Sequence, residues 1–257
     1  MTRLLFAFLI ALSVTAAQAA DGDIVKTNEA IRVEPGQTAG DVRTTNGSVK
    51  IAGGAKVQTV ASTNGKIELA DTAEARELRS TNGSVTIGAR GRVAGAVTAT
   101  NGSIRLGKDA EIGGKVSAEN GSIHVDGAHV AGGIETRFGA ITIGAGSKVE
   151  GGVKTVDGAI TIGAGVVTGG LLIDPADNSK CTRNCNDTGT TTFSGLLAAI
   201  FGSNKADATK PRVVIGPGAV VEGKLDFRRD VDLLVSDRAK IGPVEGATAK
   251  MFAGDKP

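Results

Sequence analysis

The sequence has no tryptophan and no tyrosine, and its only aromatics are 7 phenylalanines among 257 residues. A conventional globular core of that length rarely manages without large aromatic side chains, which bury the most area per residue. Their absence argues against one or two ordinary domains. Excess charge of one sign is missing too: 29 Lys and Arg face 27 Asp and Glu. That balance gives no general drive toward nucleic acid, and none is expected as a partner. Past the N-terminus no apolar run is long enough to span a bilayer. What is abundant is glycine, with 38 residues. The glycines do not recur at every third position, which excludes collagen. Hydrophobic residues make up 40% and the net charge is +2, which argues against disorder. A fold of small and β-branched aliphatics with many glycine turns is left.

Residues 1–19 read as a signal peptide. Arg3 supplies the positive start and Leu4–Val14 an apolar stretch too short for a membrane span. Ala17-Gln18-Ala19 offers the small residues a signal peptidase reads, so cleavage is expected after Ala19. No Cys follows, and nothing indicates a lipid anchor. The expectation is an exported protein, periplasmic or at the cell surface, with no transmembrane segment in its mature chain.

Repeats dominate the mature chain. Asn46-Gly47, Asn64-Gly65, Asn82-Gly83, Asn101-Gly102 and Asn120-Gly121 recur at steps of 18, 18, 19 and 19. Asn28 precedes the series, and Phe138-Gly139 and Asp157-Gly158 continue it. After each pair, aliphatics alternate with polar residues, as in Val49 and Ile51, Ile104 and Leu106, or Ile160 and Ile162. Alternation at period two means a strand with one buried face. A second apolar pair such as Ala110 and Ile112 comes next, then a third such as Val116 and Ala118. Three short strands per repeat make one triangular coil. The predicted fold is all-β, a single-stranded parallel β-helix of 18–19 residues per coil. Its narrow interior suits Val, Ile, Leu and Ala, which accounts for the missing Trp and Tyr. One coil cannot be stable alone, so stability resides in contacts between neighbours.

The Asn-Gly pairs are assigned a structural role. Asn tolerates and Gly freely adopts a left-handed backbone. Stacked in register, Asn46, Asn64, Asn82, Asn101 and Asn120 are expected to hydrogen-bond as an amide ladder. A polar binding row is the functional alternative.

The period holds over residues 20–173, stops across 174–210, returns over 211–246 and leaves a tail or end cap at 247–257. The interruption reads as an insertion. Within it Phe193, Leu196, Leu197, Ile200 and Phe201 fall on one stripe of a short helix, with Gly202 as its stop. The stripe suits packing on the solenoid, or docking to a partner or a lipid surface. Cys181 and Cys185 are the only thiols, and an intraloop disulfide is the simplest reading for an exported chain. Zinc is the rival, but two Cys do not make a site, and the only His residues, His124 and His129, lie far away in sequence. Both His are expected to point outward. No catalytic residue, cofactor or metal ligand is assigned. A lyase or glycosidase site needs placed acids beside aromatic platforms, and the acids here are dispersed.

Val214-Ile215-Gly216-Pro217-Gly218-Ala219-Val220-Val221-Glu222-Gly223, followed by Ala239-Lys240-Ile241-Gly242, resembles the bactofilin group of polymer-forming β-helical bacterial cytoskeletal proteins. The Thr-Asn-Gly-Ser units are similar to adhesin-type β-solenoids of bacterial envelopes. The resemblance implies a non-enzymatic scaffold of the envelope that self-associates through its ends. A cell-surface module binding glycan or protein is the alternative, and a hexapeptide acyltransferase-like enzyme a distant one.

Overall fold

Successive short strands stack into three columns, so that each strand lies directly above its counterpart one coil earlier. The protein is seen here as a computed structural model describing residues 22–167, 169–175, 210–255 and 257. All regular structure among these residues is β, and every strand pairing is parallel. The first column is an eleven-stranded sheet running from Ile31–Val33 to Lys250–Phe252. The second runs from Thr38–Ala39 to Lys240–Ile241, and the third from Ile24–Lys26 to Val244–Glu245. Eleven strands at about 4.8 Å make a rod roughly 50 Å long.

Alternation dictates this arrangement locally. The first-column strands are mostly three residues long, with the outer two buried and the middle one turned outward, as in Ile104–Leu106. The interior is filled by Ile, Val, Leu and Ala from all three columns, and Ile51, Leu69, Leu78, Ile104 and Ile141 are fully buried. Burying each such side chain contributes about 1.5–3 kcal/mol. One aromatic does enter: Phe227 is buried in the third column. Its predecessors at that inner position are small or hydroxylated, Thr44, Ser62, Ser80, Ala99, Ala118, Thr136 and Thr155, and then Ile173. The rod therefore widens its side-chain choice only near its C-terminal end.

Lys56–Ser62 and Glu74–Ser80 run unbroken through the bend between the second and third columns. Their bends carry Gln58-Thr59 and Arg76-Glu77, where later coils carry Gly95-Ala96, Gly114-Lys115 or Gly132-Gly133. The strands run on through the bend there, but Val57 and Ala75 still stand in the second column and Val60 and Leu78 in the third, so the corner is kept.

The Asn-Gly corners correct one expectation. None of Gly47, Gly65, Gly83, Gly102 and Gly121 has a positive φ. Glycine is needed there for space. A Cβ on Gly65 would collide with the Gly47 carbonyl oxygen, and the same collision recurs up the column. The left-handed backbone sits instead at the bend after the first column. Gly36, Gly54, Thr72, Arg90, Asp109, Gly127, Gly146 and Gly218 have φ between 56° and 74° there. Three of them are not glycine, and each costs about 1–2 kcal/mol of backbone strain. The conformation turns the amide along the rod, so that Thr72 N–H donates to Ala89 O at 3.0 Å and Asp109 N–H to Gly127 O at 2.9 Å. Bonding to the next coil holds the strained residues in place.

Stacking ignores the insertion. Earlier coils pair residues 18 or 19 apart, as Ile123 with Ile141 and Ile104 with Ile123. Across the interruption Ile160 pairs with Val213, Val166 with Val220 and Leu171 with Leu225. The coil leaves at the corner between the third and first columns and rejoins at the same level. The tail is not wholly loose: Lys250–Phe252 adds a strand to Asp232–Ser236.

Candidate functional site

The corner between the third and first columns carries the residues singled out from the sequence. Asn46, Asn64, Asn82, Asn101 and Asn120 stand above one another, exposed, each with its backbone amide bonded to the coil before. Their side chains form a continuous ladder. Asn64 Nδ2 donates to Asn46 Oδ1 at 2.7 Å, Asn82 to Asn64 at 2.8 Å, Asn101 to Asn82 at 2.9 Å and Asn120 to Asn101 at 2.9 Å. Asn28 is a sixth member, accepting from Asn46 at 2.8 Å. Glu29, not Gly, comes after it, which hides it from the Asn-Gly pattern although its 18-residue spacing fits the series. Beneath the ladder a row of buried hydroxyls serves the same corner. Thr44 donates to Glu29 O at 3.1 Å, Ser62 to Gly47 O at 3.0 Å, Ser80 to Gly65 O at 3.3 Å and Thr136 to Gly121 O at 3.0 Å. The Thr155 hydroxyl is buried with no hydrogen-bond partner among the described residues.

Above Asn120 the corner changes character. Phe138 takes the Asn position and Asp157 the next. Phe138 is 44% exposed, with the Arg137 guanidinium 5.2 Å from its ring centroid. The Ser column beside the ladder becomes Ala140 and Ala159, and the Thr column becomes Arg137 and Val156. One level higher the insertion departs. Its ends are tied by ion pairs: Asp174 meets Lys154 at 2.7 Å and Arg228 at 3.2 Å, and Lys210 meets Asp230 at 3.3 Å. Arg229 reaches past the exit to Val156 O at 3.1 Å. Cys181, Cys185, Phe193, Leu196, Leu197, Ile200 and Phe201 lie outside the described residues, as does the segment read as a signal peptide.

Outward side chains elsewhere are largely matched in charge between coils. Lys50 and Glu68 meet at 2.6 Å, Lys56 and Glu74 at 3.0 Å, Arg92 and Glu111 at 3.2 Å, and Lys224 and Glu245 at 2.6 Å. The hydrogen bond from Lys50 holds the Glu68 carboxyl below its usual range, and Lys250 does the same for Asp232. Cross-strand pairs of this kind reinforce register more than they add stability. Both His residues turn outward. His124 is exposed, and His129 Nε2 lies 3.0 Å from Glu150 Oε1, a carboxylate also bonded by Lys148. His129 thus has a partner the sequence did not disclose, because Glu150 is one coil further on. It borders an open groove of about 430 Å³ with Glu74, Arg92 and Glu111. Arg92 pairs with Glu111 and Glu74 with Lys56, and no Ser, Thr or Cys lines the groove beside His129 among the described residues.

At the C-terminal end the last strand of each column, Lys240–Ile241, Val244–Glu245 and Lys250–Phe252, is paired on one side only among the described residues. Met251 is 62% exposed there, and Ile241, Val244, Ala247 and Ala249 are only partly covered. No helix among the described residues is long and apolar enough to cross a membrane, and no cluster of three or more potential metal ligands occurs among them. No family model, curated protein or solved structure matches the chain.

Proposed function

We propose that the protein is a non-enzymatic, exported β-solenoid that serves as a structural or interaction scaffold in the bacterial envelope, and that it self-associates through its C-terminal end. The observation that carries this reading is the open last coil. Three parallel strands there are paired on one side only among the described residues, and the aliphatic interior continues to the surface at Ile241, Val244 and Met251. An unpaired edge is a template for another strand, and a second copy offers edges at the same spacing. The long faces favour this end over the sides as the contact. Their charges are largely matched between coils, and their glycine corners are filled by backbone.

The test is the mass of the protein purified without residues 1–19, by light scattering over a range of concentrations, with electron microscopy of the same samples. Self-association is expected, with contacts at rod ends, and Val244→Lys with Met251→Glu is expected to return the protein to monomers of unchanged circular dichroism. Monodisperse single rods at high concentration would sink the proposal.

A further inference from the structure

One stretch of the first column departs from the charge matching that prevails along the rod. From coil to coil its outward row reads Lys50, Glu68, Thr86, Arg105, His124 and Thr142. Glu68 is already engaged by Lys50 at 2.6 Å and by Lys66 at 3.5 Å. Arg105 and His124 are exposed and stand directly against each other in register. Neither side chain has an ion-pair or hydrogen-bond partner among the described residues. Their neighbours in the row are hydroxyls, Thr86 in the coil before and Thr142 in the coil after. The acid nearest His124 along the chain, Asp126, turns to the following coil, where a Cβ on Gly144 would lie 3.3 Å from its Oδ1. Like charges directly opposite in a sheet are destabilising, and an acid at either threonine would have matched them. Setting a guanidinium against an imidazole therefore does nothing for the rod itself.

The surface around the pair is concave and polar. Arg105, His124 and Thr142 border an open groove of about 290 Å³ with Ser103, Ser122 and Ala140. No acid lines it, and the aliphatics beneath, Ile104 and Ile123, are fully buried. Such a groove offers no apolar floor to a lipid. Arg105 carries a planar fork that takes a carboxylate through two hydrogen bonds, and His124 adds a donor one strand spacing away, about 4.8 Å. Ser103, Ser122 and Thr142 both donate and accept, as binding of sugar hydroxyls requires. The column repeats at about 4.8 Å, close to the advance of an extended sugar chain per residue, so a chain laid along the axis meets one coil per sugar. We propose that this face binds a carboxylate-bearing glycan, a uronate polymer, lengthwise. Arg105 and His124 hold a carboxylate, and Ser103, Ser122 and Thr142 bond the ring hydroxyls. The groove lies on the flank of the rod, away from the C-terminal strands. The proposal thus gives the scaffold a ligand and stands or falls separately from self-association.

Fluorescence anisotropy of a labelled oligogalacturonate at low salt, with the protein purified without residues 1–19, reads the binding directly. Saturable binding is expected, and Arg105→Gln should weaken it by about tenfold. His124→Gln should weaken it less, by about threefold or more. Arg76→Gln removes the same charge as Arg105→Gln from the bend between the second and third columns and should change nothing. Thr86→Glu supplies the missing acid in register with Arg105. It is expected to raise the melting temperature and to weaken binding by about tenfold. All four positions are exposed, so circular dichroism should stay the same. Absence of binding, binding that Arg105→Gln leaves unchanged, or an equal loss with Arg76→Gln would overturn the proposal. So would polyglutamate or polyphosphate competing as well as unlabelled oligogalacturonate, because the face would then read charge alone.

Discussion

The two halves of the rod share one coil geometry but close the same corner by different means. From Asn28 to Asn120 an unbroken line of amides donates along the axis, each to the coil below. From Phe138 onward the corner holds an aromatic, an acid, an insertion and a pair of arginines. Aliphatic columns and parallel pairing continue through both. The ladder is therefore an addition to a fold that stands without it. Where it is absent, the corner is free to carry something else.

Substitutions that respect this division separate what every coil needs from what one half uses. The largest effects should not discriminate. Gly83→Ala in the ladder half and Gly158→Ala in the other both drive a Cβ into the carbonyl of the coil before. Each is expected to cost about 3 kcal/mol or more in denaturant unfolding. Gly36→Ala meets no neighbouring atom and bears only the strain of its φ of 71°, about 1–2 kcal/mol. If Gly83→Ala cost no more than Gly36→Ala, close stacking would not be the reason for glycine at these corners.

Next come the amides. Asn82→Ala removes two side-chain bonds and should cost about 2 kcal/mol, while Asn120→Ala removes one and should cost about half that. Asp157→Ala, at the equivalent place beyond the ladder, should stay within about 0.5 kcal/mol. Equal melting temperatures for Asn82→Ala and Asp157→Ala would dissolve the contrast between the halves.

Smaller still, and opposite in sign, are two buried threonines in adjoining coils. Thr136→Val loses a hydrogen bond to Gly121 O and should destabilise by about 1 kcal/mol. Thr155→Val replaces a hydroxyl that has no partner among the described residues and should be neutral or stabilising. A matched loss in both would mean the Thr155 hydroxyl is bonded after all.

The smallest expected effect is a pH dependence that spans both halves. Lys50 lowers the pKa of Glu68 and Lys250 lowers that of Asp232. A carboxyl depressed in the folded state contributes fully above its unfolded pKa of about 4. The contribution is lost as pH falls through the lower folded value. Melting temperature should therefore fall below about pH 4. Glu68→Gln and Asp232→Asn together should flatten part of that fall. An unaltered acid slope would leave those two pairs without a role in it.

How much of the structure is legible in the sequence depends on distance along the chain. The aliphatic alternation of Val85–Ile87 or Ile123–Val125 is local, and so the columns can be read directly. The ladder can be read because its spacing equals that of the strands. Where glycine is required sterically and where it is required for φ cannot be told apart, because both produce the same letter. Thr72, Arg90 and Asp109 hide the left-handed bend altogether. The partnership of His129 with Glu150 is equally hidden, since it depends on which residues two coils bring together.

By itself the sequence determined the coil: its period, its three buried faces, its small interior and the absence of Trp and Tyr that such an interior entails. Period and polarity are properties of the chain, repeated often enough to leave one consistent stacking. The tertiary structure alone decided what happens between coils. It set Ile160 against Val213 across the insertion, brought Glu150 to His129, and left the last three strands paired on one side only among the described residues. Those outcomes depend on the register of distant segments, which only the stacked backbone fixes.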